Sequence, residues 1–330
     1  MKDLNVVVWG LGPHAIKNIL PALDAARGVR LFGVFSRNAQ IVAWACERYG
    51  CVKWQTSEQM LSDPSVDVVF LATPTGLHAR DGMAALSAGK HLWCEKPATG
   101  SREQTRALIE KSIERGVTLT EGLMYLYHPQ FEYLLDAWKS GALGRVHTIS
   151  CRFGIPPLDR PSCRTDPDLG GSALLDVGSY PVSALTALFP QGATEVLFSE
   201  ISTVPGSRVD TSGLAVLRCP GGVTAVLEWR TDAAYRSDID LWGTEGSIST
   251  ERVFSKPSDH VPRYRFLDRH GRECLREGQV ANAFVNMCEA FRGFVTDQEM
   301  AESERRVIAR RARLIDSIRN GSQRGGGADG

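Results

Sequence analysis

Four short stretches of the chain carry residue types whose spacing could do chemistry. The first, Gly10-Leu11-Gly12-Pro13-His14-Ala15, is a GxGxxA box between an apolar run and a helical one. Gly10 allows a tight turn, Gly12 lets a pyrophosphate approach the backbone, and Ala15 permits close packing of helix on sheet, with the phosphates at the helix N-terminus. A mere tight turn is the plainer reading, but the box sits in the first strand–turn–helix of an alternating chain, which favours a dinucleotide site. The second stretch is Phe35-Ser36-Arg37-Asn38, where the next apolar run ends. An acidic residue there would take the ribose hydroxyls of NAD. Arg37 can instead pair with a 2′-phosphate and Ser36 can hydrogen-bond it, which favours NADP(H); the alternative is a surface arginine that opens a helix.

The third stretch is Glu95-Lys96-Pro97, directly after the apolar run His91–Cys94. A parallel strand delivers its C-terminal end to the cofactor crevice, and a lysine there can hold an oxygen and stabilise negative charge during hydride transfer. Pro97 fixes the backbone at this point. Taken alone, such a lysine is most often a surface charge. The fourth stretch is Gly170-Gly171-Ser172-Ala173-Leu174-Leu175-Asp176-Val177-Gly178-Ser179-Tyr180-Pro181. Asp176 and Tyr180 are four apart, so a helical turn would put them on one face, although Gly178 and Pro181 work against a regular helix. A phenol titrates near 10 when unperturbed, and a neighbouring lysine charge would pull it toward working pH as an acid/base group. A buried tyrosine beside a structural aspartate is the competing reading.

The elements that must position these residues fall into two textures. In residues 1–121 the apolar runs Leu4–Trp9, Val29–Phe35, Asp67–Ala72, His91–Cys94 and Val117–Thr120 alternate with helical segments at Pro13–Ala26, Ala39–Tyr49, His78–Ala88 and Glu103–Arg115. Strands without period-two alternation, separated by helices, predict a doubly wound α/β domain with a parallel sheet buried on both faces. From about residue 144 the strands come in pairs around turns such as Cys219–Gly222, Gly243–Gly246 and Asp268–Gly271, which predicts an antiparallel sheet. Two helices close the chain, the second with Arg305, Arg306, Arg310, Arg311 and Arg313 on what reads as a solvated face beside Glu302 and Glu304. This gives a domain over 1–121, a second over 122–320 and a Gly-rich tail over 321–330 expected to be disordered.

Composition narrows the classes. The chain has 330 residues, 43% hydrophobic, with 38 basic and 38 acidic side chains and a net charge of zero. Enough apolar material is present for real cores, and the basic excess of a nucleic-acid binder is missing. The eight cysteines include no CxxC pair, and no Cys/His cluster has zinc spacing, so no metal is expected. The apolar start ends at Trp9, short of a signal h-region, and no run reaches membrane-span length. The expectation is a cytoplasmic protein with reduced cysteines.

In this order the stretches resemble one family, the glucose–fructose oxidoreductase, inositol dehydrogenase and rhizopine-catabolism (Gfo/Idh/MocA) oxidoreductases. Further carriers are Thr73-Pro74-Thr75-Gly76-Leu77-His78, Glu121-Gly122-Leu123-Met124-Tyr125-Leu126-Tyr127-His128-Pro129-Gln130 and Gly243-Thr244-Glu245-Gly246-Ser247-Ile248. The resemblance implies a Rossmann domain followed by an α/β domain with a large, mainly antiparallel sheet that commonly makes dimer or tetramer contacts. It implies hydride transfer between a nicotinamide and a sugar or polyol carbon. It also places Thr73, Pro74, His78 and Glu95 with the box and Lys96 around the cofactor. Many members carry histidine where this chain has Tyr180, and the tyrosine is similar to the branch of nucleotide-sugar 3-ketoreductases, dihydrodiol dehydrogenases and NADP-dependent xylose dehydrogenases. There Tyr180 would be the acid/base with Lys96 assisting, Asp176 would orient substrate or network, and Arg164 would lie near the substrate. Tyr125 reads equally as a cleft or a core residue. Leu20–Leu23, Phe153–Pro157 and Arg252–Phe254 lean toward the 3-ketoreductases. The expected substrate is a keto-sugar, most specifically a nucleotide-linked 3-keto-deoxyhexose. The alternatives are a free aldose, a trans-dihydrodiol, or a non-catalytic cofactor sensor.

Overall fold

The apolar runs near the N-terminus pair as parallel strands because each is covered from both sides. The computed structural model describes residues 2–157 and 162–325. Its first compact unit comprises Met1–Met124 and Phe284–Ala312. Six strands, β1 (Leu4–Trp9), β2 (Val29–Phe35), β3 (Val52–Lys53), β4 (Val68–Leu71), β5 (His91–Glu95) and β6 (Leu119–Gly122), lie in the order β3-β2-β1-β4-β5-β6. Every neighbouring pair is parallel. The order turns back at β1, which puts the reversal between β1 and β4 beside the Gly10 turn. Helix starts follow local chemistry: the Asn38 side chain accepts from the backbone N–H groups of Gln40 and Ile41, and Ser101 from Gln104. The two-residue β3 and the short helix Ser57–Ser62 were not predicted; β3 is exposed at both positions and has no pattern to read.

The closing helices divide between the two compact units. Helix Ala283–Thr296 belongs with the first unit from Phe284 on, and the next, Gln298–Gly325, as far as Ala312. The cause is aromatic packing. Phe291 stacks on Trp93 of β5, ring centroids 4.5 Å apart, and Trp93 meets Phe70 of β4 edge-on at 4.8 Å. Ile308 joins the cluster around Val69, Leu92 and Leu119. The last helix continues to Gly325, five residues into the tail expected to be disordered; 326–330 lie outside the described residues.

The second unit comprises Tyr125–Ala283 and Arg313–Gly330. Its eight strands are β7 (Val146–Gly154), β8 (Glu195–Ser202), β9 (Ser212–Arg218), β10 (Thr224–Arg230), β11 (Arg236–Gly243), β12 (Gly246–Glu251), β13 (Arg263–Asp268) and β14 (Glu273–Glu277). They lie in the order β14-β13-β12-β11-β7-β10-β9-β8. All pairs are antiparallel except β7 with β10. Alternation is visible here, as one-sided burial requires: Ala225, Leu227 and Trp229 of β10 are buried, and the residues between them are not. Helices Pro129–Lys139 and Ser179–Leu188 complete the unit. Among the described residues no helix is long and apolar enough to cross a membrane.

Candidate active site

In the first unit the strand ends converge on Gly10. Its φ is +103°, and a Cβ there would stand 2.7–2.8 Å from the carbonyl of Ala72 and the nitrogen of Thr73. The Gly10 N–H donates to the Phe35 carbonyl at 2.8 Å, and the Ala72 N–H donates to Trp9 at 2.8 Å. The ends of β1, β2 and β4 are thereby locked together. Gly12 is the opposite case, because a Cβ there would meet nothing within 4 Å. Such an open backbone face, followed by a helical run from Ala15 and with buried Ala15 against the sheet, fits a pyrophosphate cradle. Ser36 and exposed Arg37 follow β2 at once, between Gly10's partner Phe35 and the capping residue Asn38. Their place fits a 2′-phosphate.

The loop after β5 is held from several sides. The Lys96 N–H donates to Glu95 Oε2 at 3.3 Å, and the Lys96–Pro97 peptide is cis. Glu95 Oε1 lies 3.2 Å from His14 Nε2. His14 Nδ1 lies 3.2 Å from the Asn18 side-chain amide. Burial works to raise the Glu95 carboxyl, but His14, charged or as hydrogen-bond donor, and the Lys96 ammonium outweigh it and hold it below its ordinary value.

His78, expected beside the cofactor, is held by protein partners. Its ring is buried, with Nε2 2.7 Å from the Thr73 carbonyl and Nδ1 3.0 Å from the Pro97 carbonyl and 3.4 Å from Cys94 Sγ. Burial lowers its pKa, so the ring is neutral and owns one N–H. His78 is thus a clamp between the loop bearing Thr73 and Pro74 and the loop bearing Lys96.

A correction concerns Arg311, expected on a solvated face. It is 5% exposed and donates from Nη1 to Glu121 Oε2 at 2.7 Å, with Glu304 at 3.3 Å. Glu121 Oε1 accepts the Ala98 N–H at 2.7 Å. The only trace of this in the sequence is an acid inside an otherwise uncharged strand, Leu119-Thr120-Glu121-Gly122.

In the second unit, the glycines of the fourth stretch explain its shape. Gly170 has φ +81°, and a Cβ on Gly171 would stand 2.6–2.8 Å from backbone atoms of Arg164 and Asp166. Asp210, which sequence reasoning missed, then caps the following run: Leu174 N–H donates to its carboxylate at 2.8 Å and Ala173 N–H to its carbonyl at 3.1 Å. A wide turn over Leu174–Gly178 leads directly into helix Ser179–Leu188, where Pro181 sits in the first turn and costs no hydrogen bond. Asp176 pairs with Arg164 at 3.2 Å, which joins two predicted site residues.

Tyr180 is 7% exposed, with Phe153 edge-on at 5.1 Å and Phe254 and Tyr125 at 5.7 and 5.9 Å. Tyr125 is a core residue rather than a cleft residue. It is 1% exposed, and its hydroxyl lies 2.6 Å from Ser183 Oγ, whose own proton goes to the Tyr180 carbonyl at 2.7 Å. Behind this cluster Lys256 Nζ donates to the Val253 carbonyl at 2.9 Å. Burial pushes Lys256 down to about 7, and burial together with Lys256 pushes His128 down to about 4. Among the described residues no group of three or more His, Cys, Asp or Glu side chains is placed to hold a metal.

Comparison with known proteins gives a consistent picture. Residues 4–123 match the oxidoreductase family with NAD-binding Rossmann fold, and residues 131–249 match the GFO/IDH/MocA C-terminal domain. The chain is similar to a dTDP-3,4-didehydro-2,6-dideoxy-alpha-D-glucose 3-reductase of Streptomyces violaceoruber, 32% identical over 97% of this chain and 95% of that one. It is 27% identical to a D-xylose 1-dehydrogenase (NADP(+)) of Haloferax volcanii, over 96% of this chain and 97% of the other. The crystal structure of a 3-ketoreductase from Actinomadura kijaniata with NADP and TDP-benzene superposes with a TM-score of 0.91 at 30% identity, covering 97% and 98% of the two chains. That reductase has also been solved with one tyrosine changed to phenylalanine and with one lysine changed to alanine or glutamate.

Two expectations follow from the geometry. Gly10→Ala should lower the melting temperature by about 5 °C or more, since backbone must move, whereas Gly12→Ala should leave the free protein within about 2 °C of wild type by scanning fluorimetry. The second concerns pH. Unfolded lysine titrates near 10.4, so between about 7 and that value the unfolded chain holds a proton that folded Lys256 has lost, and stability rises with pH. Lys256→Met should therefore melt about 3–6 °C above wild type at pH 7, with the gap closing toward pH 10.

Proposed function

Because the chain belongs to the Gfo/Idh/MocA oxidoreductase family, we propose that it is an NADPH-dependent reductase of a nucleotide-linked keto-sugar, specifically a 3-keto-deoxyhexose. The observation that carries this reading is the pair Lys96 and Tyr180. The lysine and the tyrosine replaced in the Actinomadura reductase are separated by the same number of residues as these two. NADPH, when bound, supplies the hydride. Gly10, Gly12, Pro13, His14 and Ala15 form its cradle, with Ser36 and Arg37 for the 2′-phosphate and Thr73, Pro74 and Glu95 beside it. Tyr180 holds a proton at its phenol oxygen and delivers it to the substrate carbonyl oxygen. The Lys96 ammonium holds that same oxygen and stabilises the charge that develops on it. Arg164 and Asp176 meet the substrate as an ion pair, so neither presents a lone charge.

The aromatic support of Tyr180 fits this assignment. Rings on three sides leave its position little freedom, as a group that must meet one atom requires. The similarity to the xylose dehydrogenase favours one other reading, oxidation of a free aldose with NADP⁺, in which the same residues run the reverse transfer.

We further propose that the second unit's sheet associates with a second copy of the chain through its less buried face. Phe198 of β8, Val216 of β9 and Val226 of β10 are cross-strand neighbours on that face, which also carries Trp242 and Leu275. Phe198, Trp242 and Leu275 are 50%, 56% and 69% exposed, although Ser150, Asp240, Ser249 and Arg265 lie between them on the same face.

The decisive assay follows NADPH oxidation with dTDP-3-keto-6-deoxy-D-glucose and, in parallel, NADP⁺ reduction with D-xylose and trans-dihydrodiols. Turnover of the nucleotide sugar supports the first reading, and turnover confined to free aldoses replaces it with the second. Tyr180→Phe should lower kcat about 10²–10⁴-fold while the Kd for NADPH stays within about threefold; unchanged turnover removes Tyr180 from the mechanism. For assembly, Phe198→Arg with Trp242→Arg should lower the mass seen by light scattering, and an unaltered mass would count against this face.

A further inference from the structure

We propose that Glu121, held in place by Arg311, is a positioning residue for Lys96. The proposal rests on the reading above in which Lys96 acts on the substrate oxygen. β5 and β6 are neighbours, with Cys94 opposite Glu121 in register, so the Glu121 side chain reaches the loop that leaves β5. That loop has few backbone handles, since Pro97 has no N–H. The Lys96 N–H is used within the loop itself, by Glu95 at 3.3 Å. The Ala98 N–H is the handle to the rest of the unit, and it goes to Glu121 at 2.7 Å. On the other side the Pro97 carbonyl meets His78. The segment after Lys96 is thus gripped from two directions.

What needs explaining is the kind of grip. A neutral carbonyl would satisfy one amide. The protein instead buries a carboxylate at 5% exposure, which is costly without a countercharge. The countercharge comes from Arg311, 190 positions away and equally buried. Arg311 is shared with Glu304, whose carboxyl burial pushes upward against the pull of the arginine, so the stronger claim on Arg311 belongs to Glu121. Charge-assisted bonds are shorter and stiffer than neutral ones, and a displacement of about 1 Å in a reacting group can cost about a hundredfold in rate. A buried ion pair at this place holds the Lys96 loop more firmly than a neutral bond would.

The test is a cycle of four proteins: wild type, Lys96→Ala, Glu121→Gln and the double variant. Each is assayed for NADPH oxidation with dTDP-3-keto-6-deoxy-D-glucose, for NADPH affinity by fluorescence and for thermal melting. Glu121→Gln should lower kcat about 10–100-fold, with KM and the NADPH Kd within about threefold. In the Lys96→Ala background the same change should cost less than about twofold, because the group it positions is gone. An equal loss in both backgrounds makes Glu121 merely structural and overturns the proposal, as does wild-type turnover by Glu121→Gln. Full turnover by Lys96→Ala, or none by wild type, defeats the reading of Lys96 or of the substrate itself, and the proposal falls with it. Should Glu121→Gln not fold, Arg311→Gln is read in the same cycle. Arg311→Lys, which keeps the charge, should then recover most of the lost kcat.

Discussion

The backbone of Gly10 approaches that of Ala72 and Thr73 so closely that no side chain fits between them, and much of the first unit is arranged around that approach. Three strand ends are tied there by hydrogen bonds through Phe35, Gly10, Trp9 and Ala72. The tie brings the loop after β2, with Ser36 and Arg37, beside the loop after β4, with Thr73 and Pro74. His78 passes the constraint on to Pro97 and Cys94, and so to the loop after β5. Four loops that lie far apart in the chain become one surface at the carboxyl ends of the strands, which is where an open parallel sheet binds its ligands.

The second unit rests on a comparable close approach, between glycine and tryptophan. Trp229 of β10 is fully buried, and a Cβ on Gly178 would stand 3.0 Å from its ring. Gly213 of β9 faces the same ring. Side chains at either position would push the run that carries Asp176 and Tyr180 away from the sheet. With glycine in both places the run packs flush, and the tyrosine is fixed among Phe153, Phe254 and Tyr125. Gly178, which argues against a helix in the sequence, is what lets this segment lie against the sheet.

Buried charge is where the molecule departs most from a simple pattern. Glu121, Arg311 and Glu304 form an ionic cluster inside the first unit, and Arg164 with Asp176 forms a partly exposed pair in the second. Lys256 and His128 are different, since burial drives both toward their neutral forms.

By itself the sequence determined the alternation of strands and helices in the first 121 residues, the GxGxxA turn, the hairpins of the second sheet and the family, and it singled out Lys96 and Tyr180 as candidates. These are local: each depends on the apolar period, on turn chemistry or on residues within one loop. The tertiary structure decided what depends on residues distant in the chain. It packed helix Ala283–Thr296 on the first unit through Phe291 on Trp93, buried Arg311 against Glu121, placed Asp210 under Leu174, and gave His78 and Tyr125 their buried partners. A charged or aromatic side chain looks the same in the sequence whether it faces water or a partner a hundred residues away. Only the fold supplies that partner.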